Sequence, residues 1–167
     1  SNVVQTLWQW AEAKRPTDPA AAANASQAAL KHLLQQRVRM QTAPLTSWAQ
    51  ARWIDMMHSA EWLLDHADVS AAQAATLGEL IALLKAQGED WDGWFEAIPA
   101  TTNHNVNVAQ GLKSAAVWAR YNASATSGGF GMAELSLRRM QKLDAAYGFP
   151  TGMYAGDEIT PDPATRS

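Results

Sequence analysis

The chain has 167 residues, 47% of them hydrophobic and 17% charged, with a net charge of −3. That length supports one domain with a real core, and the slight acidity argues against a nucleic-acid partner, which needs clustered Lys and Arg to displace phosphate counterions. No apolar run approaches the ~20 residues of a membrane span, and Ser1 to Trp10 has neither the basic start nor the apolar stretch of a signal peptide.

The apolar periodicity is helical almost throughout. Val4, Leu7, Trp8 and Ala11 form a first stripe, ended by Pro16 and the turn Thr17-Asp18-Pro19. Leu30, Leu33, Leu34 and Val38 mark a second helix that closes before Pro44. Ser47 is the expected N-cap of a third, whose stripe Trp53, Met56, Met57, Ala60, Leu63 and Leu64 is the clearest amphipathic signal in the chain. Ser70 opens a fourth helix carrying Leu77, Leu80, Ile81 and Leu84, and Gly88 stops it.

Asp90 to Ala97 reads as a short aromatic helix or turn. A polar loop from Pro99 to His104 leads into a helix with Val108, Leu112, Ala115, Ala116 and Ala119. Ser124 to Gly129 is a small-residue linker before a last helix from about Met132 to Tyr147, with Leu135, Met140 and Leu143 inward and Gly148 as its C-cap. Beyond Pro150 the periodicity stops, so 151–167 reads as a loop, with one short extended stretch at Gly152 to Ala155. Helices alternating with short loops predict an all-α fold of antiparallel helical hairpins.

Cysteine is absent, which removes disulfides and thiolate metal sites from this chain. Two Asn-x-Ser sequons, at Asn24 and Asn122, are candidate glycosylation sites and lean toward secretion. Eight tryptophans are many for this length, because clustered indoles serve either as core or as planes that stack on sugars. Trp53, Trp62 and Trp118 lie on helical stripes and are expected in the core. Trp91 and Trp94 lie near a loop and are the better candidates for sugar stacking or for contact with a missing domain. His32, His58 and His66 read as surface or satisfied core residues, with Asp65-His66 capping a helix end.

Two polar segments interrupt the helical logic. Asn103-His104-Asn105-Val106-Asn107 opens a helix, where amides and an imidazole either cap free backbone N–H groups or hydrogen-bond a polyhydroxylated ligand; on spacing alone, capping is the simpler reading. Gly152-Met153-Tyr154-Ala155-Gly156-Asp157-Glu158 is either a solvated turn or a loop that aims a general acid into a cleft, its glycines permitting unusual backbone conformations.

Together with their neighbours these segments resemble a known family. His104 to Lys113, Ala116-Val117-Trp118 and Pro150 to Glu158 look like consecutive blocks of the catalytic domain of glycoside hydrolase family 127, the β-L-arabinofuranosidases. Ala51 to Asp55, Glu61 to His66, Ala86-Gln87-Gly88 and Asp90-Trp91 are similar to the preceding part of that domain, so 48–158 is the best-matching stretch. The resemblance implies an (α/α)6 barrel and a retaining hydrolase that removes L-arabinofuranose, or a related sugar, from plant-type glycans or glycoproteins. It also implies a secreted enzyme with a zinc-bound cysteine as nucleophile.

By position in its motif Glu158 corresponds to the acid/base and His104 to a sugar-binding histidine, with Asp157, Tyr154, Asn105 and Asn107 helping to position substrate. A chain without cysteine supplies neither the nucleophile nor the zinc ligands, so 1–167 is expected to be a central fragment of the catalytic domain. It is expected to be inactive alone, with no cofactor or metal of its own, and completed by other segments of the same enzyme. The alternative is a non-catalytic carbohydrate-binding or structural relative on the same helical scaffold, since a fold does not fix a function. A generic helical interaction module, with the Trp-rich stripe as its partner surface, ranks third because it leaves the ordered blocks unexplained.

Overall fold

The computed structural model describes residues 2–97, 104–121 and 128–147. They are all-α, with no strand among the described residues, as the periodicity predicts. They fall into two compact units, Ser1–Glu89 and Asp90–Ser167.

The first unit holds α1 (Asn2–Lys14), α2 (Pro19–Arg39), α3 (Ser47–Ala51), α4 (Trp53–His66) and α5 (Ala71–Gln87). The connection after α1 is short because Asp18 caps α2, its carboxylate accepting from the Ala21 N–H at 3.0 Å, and Pro19 follows at the first helical position. α5 starts with a full capping box: the Ser70 hydroxyl accepts from the Gln73 N–H, and the Gln73 side chain accepts from the Ser70 N–H at 2.9 Å. Ser70→Ala removes half of that exchange and is expected to lower the stability of this unit by about 1 kcal/mol. Ser70→Asp, which can still accept, should recover most of the loss in urea denaturation.

α1 packs on α2 and α4, and α5 packs on α2 and α4. The pairings give the direction of each helix. Trp8 donates to the Ser59 hydroxyl, Trp62 to the Glu12 carboxylate at 2.6 Å, and Arg15 to the His66 carbonyl, so α1 and α4 advance together. Gln27 donates to the Asp68 carbonyl, Arg37 pairs with Glu79 at 2.6 Å, and Gln87 donates to the Met40 carbonyl, so α2 and α5 also advance together. In a ring-like up-down bundle the first and third helices lie diagonally. Here they are neighbours, so the unit is two α-hairpins, α1–α2 and α4–α5, stacked in the same sense.

The core of this unit contains Leu30, Leu33, Trp53, Ile54, Met57, Leu63, Leu77, Leu80, Ile81 and Leu84, with Trp62 buried beside them. Trp8 stacks on Trp62 with centroids 5.5 Å apart, His58 meets Trp8 edge-on, and His66 tilts against Trp62. His58 and His66 thus belong to an aromatic seam between α1 and α4. His32 is exposed on α2, and partial burial, aided by positive charge including that of Arg39, holds its imidazole below the usual histidine pKa.

Three expectations for this unit are corrected. Val38 points outward, 61% exposed, because the inward stripe runs Ser26, Leu30, Leu33, Arg37, Met40 and leaves Val38 one residue out of phase. The helix expected from Ser47 is two helices with a turn at Arg52 (φ −106°, ψ 24°). Ser47 is not the N-cap: Thr46 holds that position without a side-chain cap, while Ser47 has φ 50°, the left-handed region that cap residues do not use.

The second unit holds α6 (Trp91–Ala97), α7 (Asn105–Gly111), α8 (Ser114–Trp118), a 3₁₀ turn (Ala119–Tyr121) and α9 (Gly128–Tyr147). The helix expected across Val108 to Ala119 is interrupted by a turn at Leu112-Lys113, and α9 begins at Gly128, ahead of the expected start. The inward stripe of α9 differs from the apolar one expected. Arg139 is 5% exposed and shares the inward face with Leu143, whereas Met140 is 43% exposed. The Arg139 guanidinium donates to Asp92 at 2.6 Å and to the Ser114 hydroxyl at 3.2 Å, and lies over the Phe95 ring. Lys142 donates to the carbonyls of Phe95 and Glu96, serving the C-terminal end of α6 where the helix dipole favours a cation. Two basic side chains of α9 therefore fasten α6.

Candidate functional site

The described part of the expected site centres on His104. Its backbone is extended (φ −68°, ψ 128°), and its imidazole Nδ1 accepts from the Val106 N–H at 3.2 Å, while its carbonyl accepts from the N–H groups of Asn107 and Val108. The imidazole itself is the N-cap of α7, a part usually taken by Ser, Thr, Asp or Asn. With Nδ1 accepting, a neutral ring carries its proton on Nε2, so the ring's remaining nitrogen is a donor. Of its two neighbours proposed for positioning, Asn107 is buried within the second unit and Asn105 is half-buried.

Glu158, Asp157, Tyr154 and Asn122 lie outside the described residues. Asn24 is exposed in the first third of α2, where the hydroxyl of its sequon partner Ser26 turns inward and donates to the Ala22 carbonyl at 3.0 Å.

Trp91 and Trp94 are not exposed stacking planes. They are buried with Phe95, Trp91 meeting Trp94 at 73° and Trp94 meeting Phe95 at 85°, edge-to-face geometries typical of packed aromatics. The signal was available in the spacing: positions 91, 94 and 95 form one helical stripe. Trp53 and Trp62 are core as expected, and Trp118 is half-buried, tilted against Tyr121.

No group of three His, Cys, Asp or Glu side chains able to hold a metal occurs among the described residues, and the whole chain has no cysteine. Without cysteine, this chain's own donors do not fit the cysteine-bearing zinc site that the family resemblance implies. No helix among the described residues is long and apolar enough to cross a membrane.

Comparison with family models, curated proteins and solved structures gives no match for this chain.

Proposed function

We propose that the chain is a helical piece of a secreted retaining glycoside hydrolase acting on L-arabinofuranose or a related sugar, resembling family 127. The ordered run of blocks ending at Pro150 to Glu158 carries this reading. The same-sense stacking of α1–α2 on α4–α5 supports the scaffold half of it, because an α/α barrel is built by repeating that step.

Glu158 is the acid/base. In its protonated form it gives a proton to the departing glycosidic oxygen, and as a carboxylate it later takes one from the incoming water. The nucleophile comes from outside this chain. His104, with Nδ1 committed to α7, offers its Nε2 proton to a sugar hydroxyl. Asp157, Tyr154, Asn105 and Asn107 position the sugar, and the zinc that the resemblance implies for the complete enzyme would be held by residues outside this chain.

The test uses the complete enzyme and an aryl β-L-arabinofuranoside. Glu158→Gln should cut kcat/KM by at least about 10²-fold, most strongly for poor leaving groups, which depend on protonation. His104→Asn separates the two roles of the imidazole, since asparagine caps helices well but lacks Nε2. An unchanged melting temperature with a raised KM supports sugar binding by His104. Unchanged kinetics leave the residue with capping alone.

A non-catalytic relative on the same scaffold is the second reading. It is favoured by the structural duties already held by His104, Trp91 and Trp94. In that case Glu158→Gln leaves carbohydrate binding intact, and no hydrolysis is found to lose.

A further inference from the structure

Asp92-Gly93 is the one Asp-Gly pair in the sequence, and no Asn-Gly pair occurs. In an open chain this pair is chemically labile, because glycine has no side chain to shield its nitrogen from the neighbouring carboxyl group. The Gly93 nitrogen attacks Cγ of Asp92 and forms an N–Cγ bond. The Gly93 N–H proton and the carboxyl OH leave as water. Water then adds back to the cyclic imide. Opening at Cγ restores aspartate, whereas opening at the main-chain carbonyl gives isoaspartate, with the chain now running through Cγ. The reaction needs no oxidant or other reactant, and the mass is unchanged.

The second unit restrains both reacting groups. The Gly93 N–H donates to the Asp90 carboxylate at 3.2 Å, which caps α6. A Cβ at residue 93 would lie 2.6 Å from Asp90 Oδ2, so the seat of this cap favours the glycine that makes the pair labile. The Asp92 carboxylate accepts from the Arg139 guanidinium at 2.6 Å, a charge-assisted bond. Arg139 is itself buried and anchored on the Ser114 hydroxyl at 3.2 Å, so it cannot follow Asp92 if α6 moves. The helix adds a third restraint, since the imide ring fixes ψ of residue 92 outside the helical range. Burial is not the protection: the Asp92 side chain is 50% exposed, and water reaches it.

We propose that Asp92-Gly93 is a site of spontaneous isoaspartate formation latched by Arg139, and that the modification prevents α6 from docking again. Isoaspartate adds one methylene to the main chain inside the first turn of α6. That turn is closed by the Trp94 N–H donating to the Asp90 carbonyl at 3.0 Å, and the longer chain puts the two out of register. The carboxylate also moves to the former α-carbon, which leaves the buried Arg139 without its acid. Opening therefore permits the reaction, and the reaction then blocks closing. The inference concerns the second unit alone and is independent of the glycosidase reading.

Ageing of the full chain at neutral pH, with isoaspartate located by electron-transfer fragmentation of its peptides, tests this. The folded chain should gain isoaspartate at residue 92 at least about ten-fold more slowly than the same chain in urea, the factor that one charge-assisted bond supplies. Arg139→Gln should remove most of that protection. Leu143→Ala, which loosens α9 by emptying core without freeing Asp92, should remove less when the two variants are compared at equal folded fraction. Gly93→Ala should suppress the signal. The isoaspartate form, separated by chromatography, should exchange its amides across 91–97 faster than the unaged chain. Equal rates in the folded and denatured chain, Arg139→Gln no faster than Leu143→Ala, a signal undiminished by Gly93→Ala, or unchanged exchange in the aged form overturns the proposal.

Discussion

Trp53→Ala is expected to destabilise the first unit by about 3–5 kcal/mol, a large share of the 5–15 kcal/mol that holds a typical domain together. The indole is fully buried at the start of α4, and its Nε1 donates to the Glu89 carbonyl at 3.2 Å, 36 positions along the chain. It therefore joins the first turn of α4 to the second residue beyond α5. Truncation removes one of the two tryptophans of this core and leaves a cavity that the surrounding packing cannot fully close. The lost hydrogen bond adds little, because Glu89 lies near the surface and its carbonyl can turn to water.

A second substitution tests the same contact from the other side. At Gly88 an added Cβ would lie 2.2 Å from Cδ1 and 2.4 Å from Cγ of the Trp53 ring. Its backbone (φ −74°, ψ 167°) is open to any residue, so the glycine is required by the indole and not by the turn. Gly88→Ala should therefore cost about 1–3 kcal/mol by overpacking. In the pair Trp53→Phe/Gly88→Ala the smaller ring should return part of that cost, a coupling readable from a double-mutant cycle in urea. If Trp53→Ala costs under about 1 kcal/mol, the indole is not packed as described.

Much of this architecture was legible in the sequence, for reasons that can be named. The helix start at Ser70 was clear because a side-chain cap is local chemistry, whereas Thr17-Asp18-Pro19 read as a turn and Asp18 proves to be the cap of α2. Apolar stripes were clear where every inward position is apolar, as in Leu77, Leu80, Ile81 and Leu84 of α5. The reading failed where an inward position is charged. Arg139 and Arg37 sit on inward stripes because Asp92, Ser114 and Glu79 neutralise or bond them, and those partners are 42 or more positions away or on another helix. Met140 and Val38, adjacent in sequence, were assigned the inward place instead. Such an exchange is visible only once tertiary partners are known.

The site was legible to a different degree. That His104 opens a helix follows from the polar cluster before an apolar stripe, and capping is the role its Nδ1 fills. The stacking of the Arg52 guanidinium on the Trp48 ring was accessible in principle, since positions four apart share a helix face. Its setting depends on the break at Arg52 and on the left-handed Ser47, neither of which composition or periodicity announces. Non-glycine residues seldom take that conformation, so no residue type signals it.

Trp91→Ala separates the sequence reading from the packing more sharply than any other change in the second unit. Were Trp91 a sugar-stacking plane, its removal would leave stability within about ±0.5 kcal/mol, as for most surface substitutions, and would weaken carbohydrate binding. Its burial leads to the opposite expectation: a loss of about 3–5 kcal/mol. The indole lies against Trp94 and Phe95, with centroids 5.9 and 6.0 Å away, and its outer ring covers Gly111 so closely that a Cβ there would lie 2.5 Å from Cδ2. The aromatic pairs add about 0.5–1.5 kcal/mol each beyond the area they bury. Because α6 spans only Trp91–Ala97, it has too few turns to be stable by itself and depends on this packing and on the clasp of Arg139 and Lys142. Amide exchange measured peptide by peptide should therefore accelerate first across 91–97 and then across 105–118. Gly111→Ala, which crowds the same ring without emptying the core, should give the same order with a smaller loss of about 1–3 kcal/mol. Unchanged exchange in these segments after Trp91→Ala would remove the indole from the core and return it to the surface role first suggested by its position near a loop.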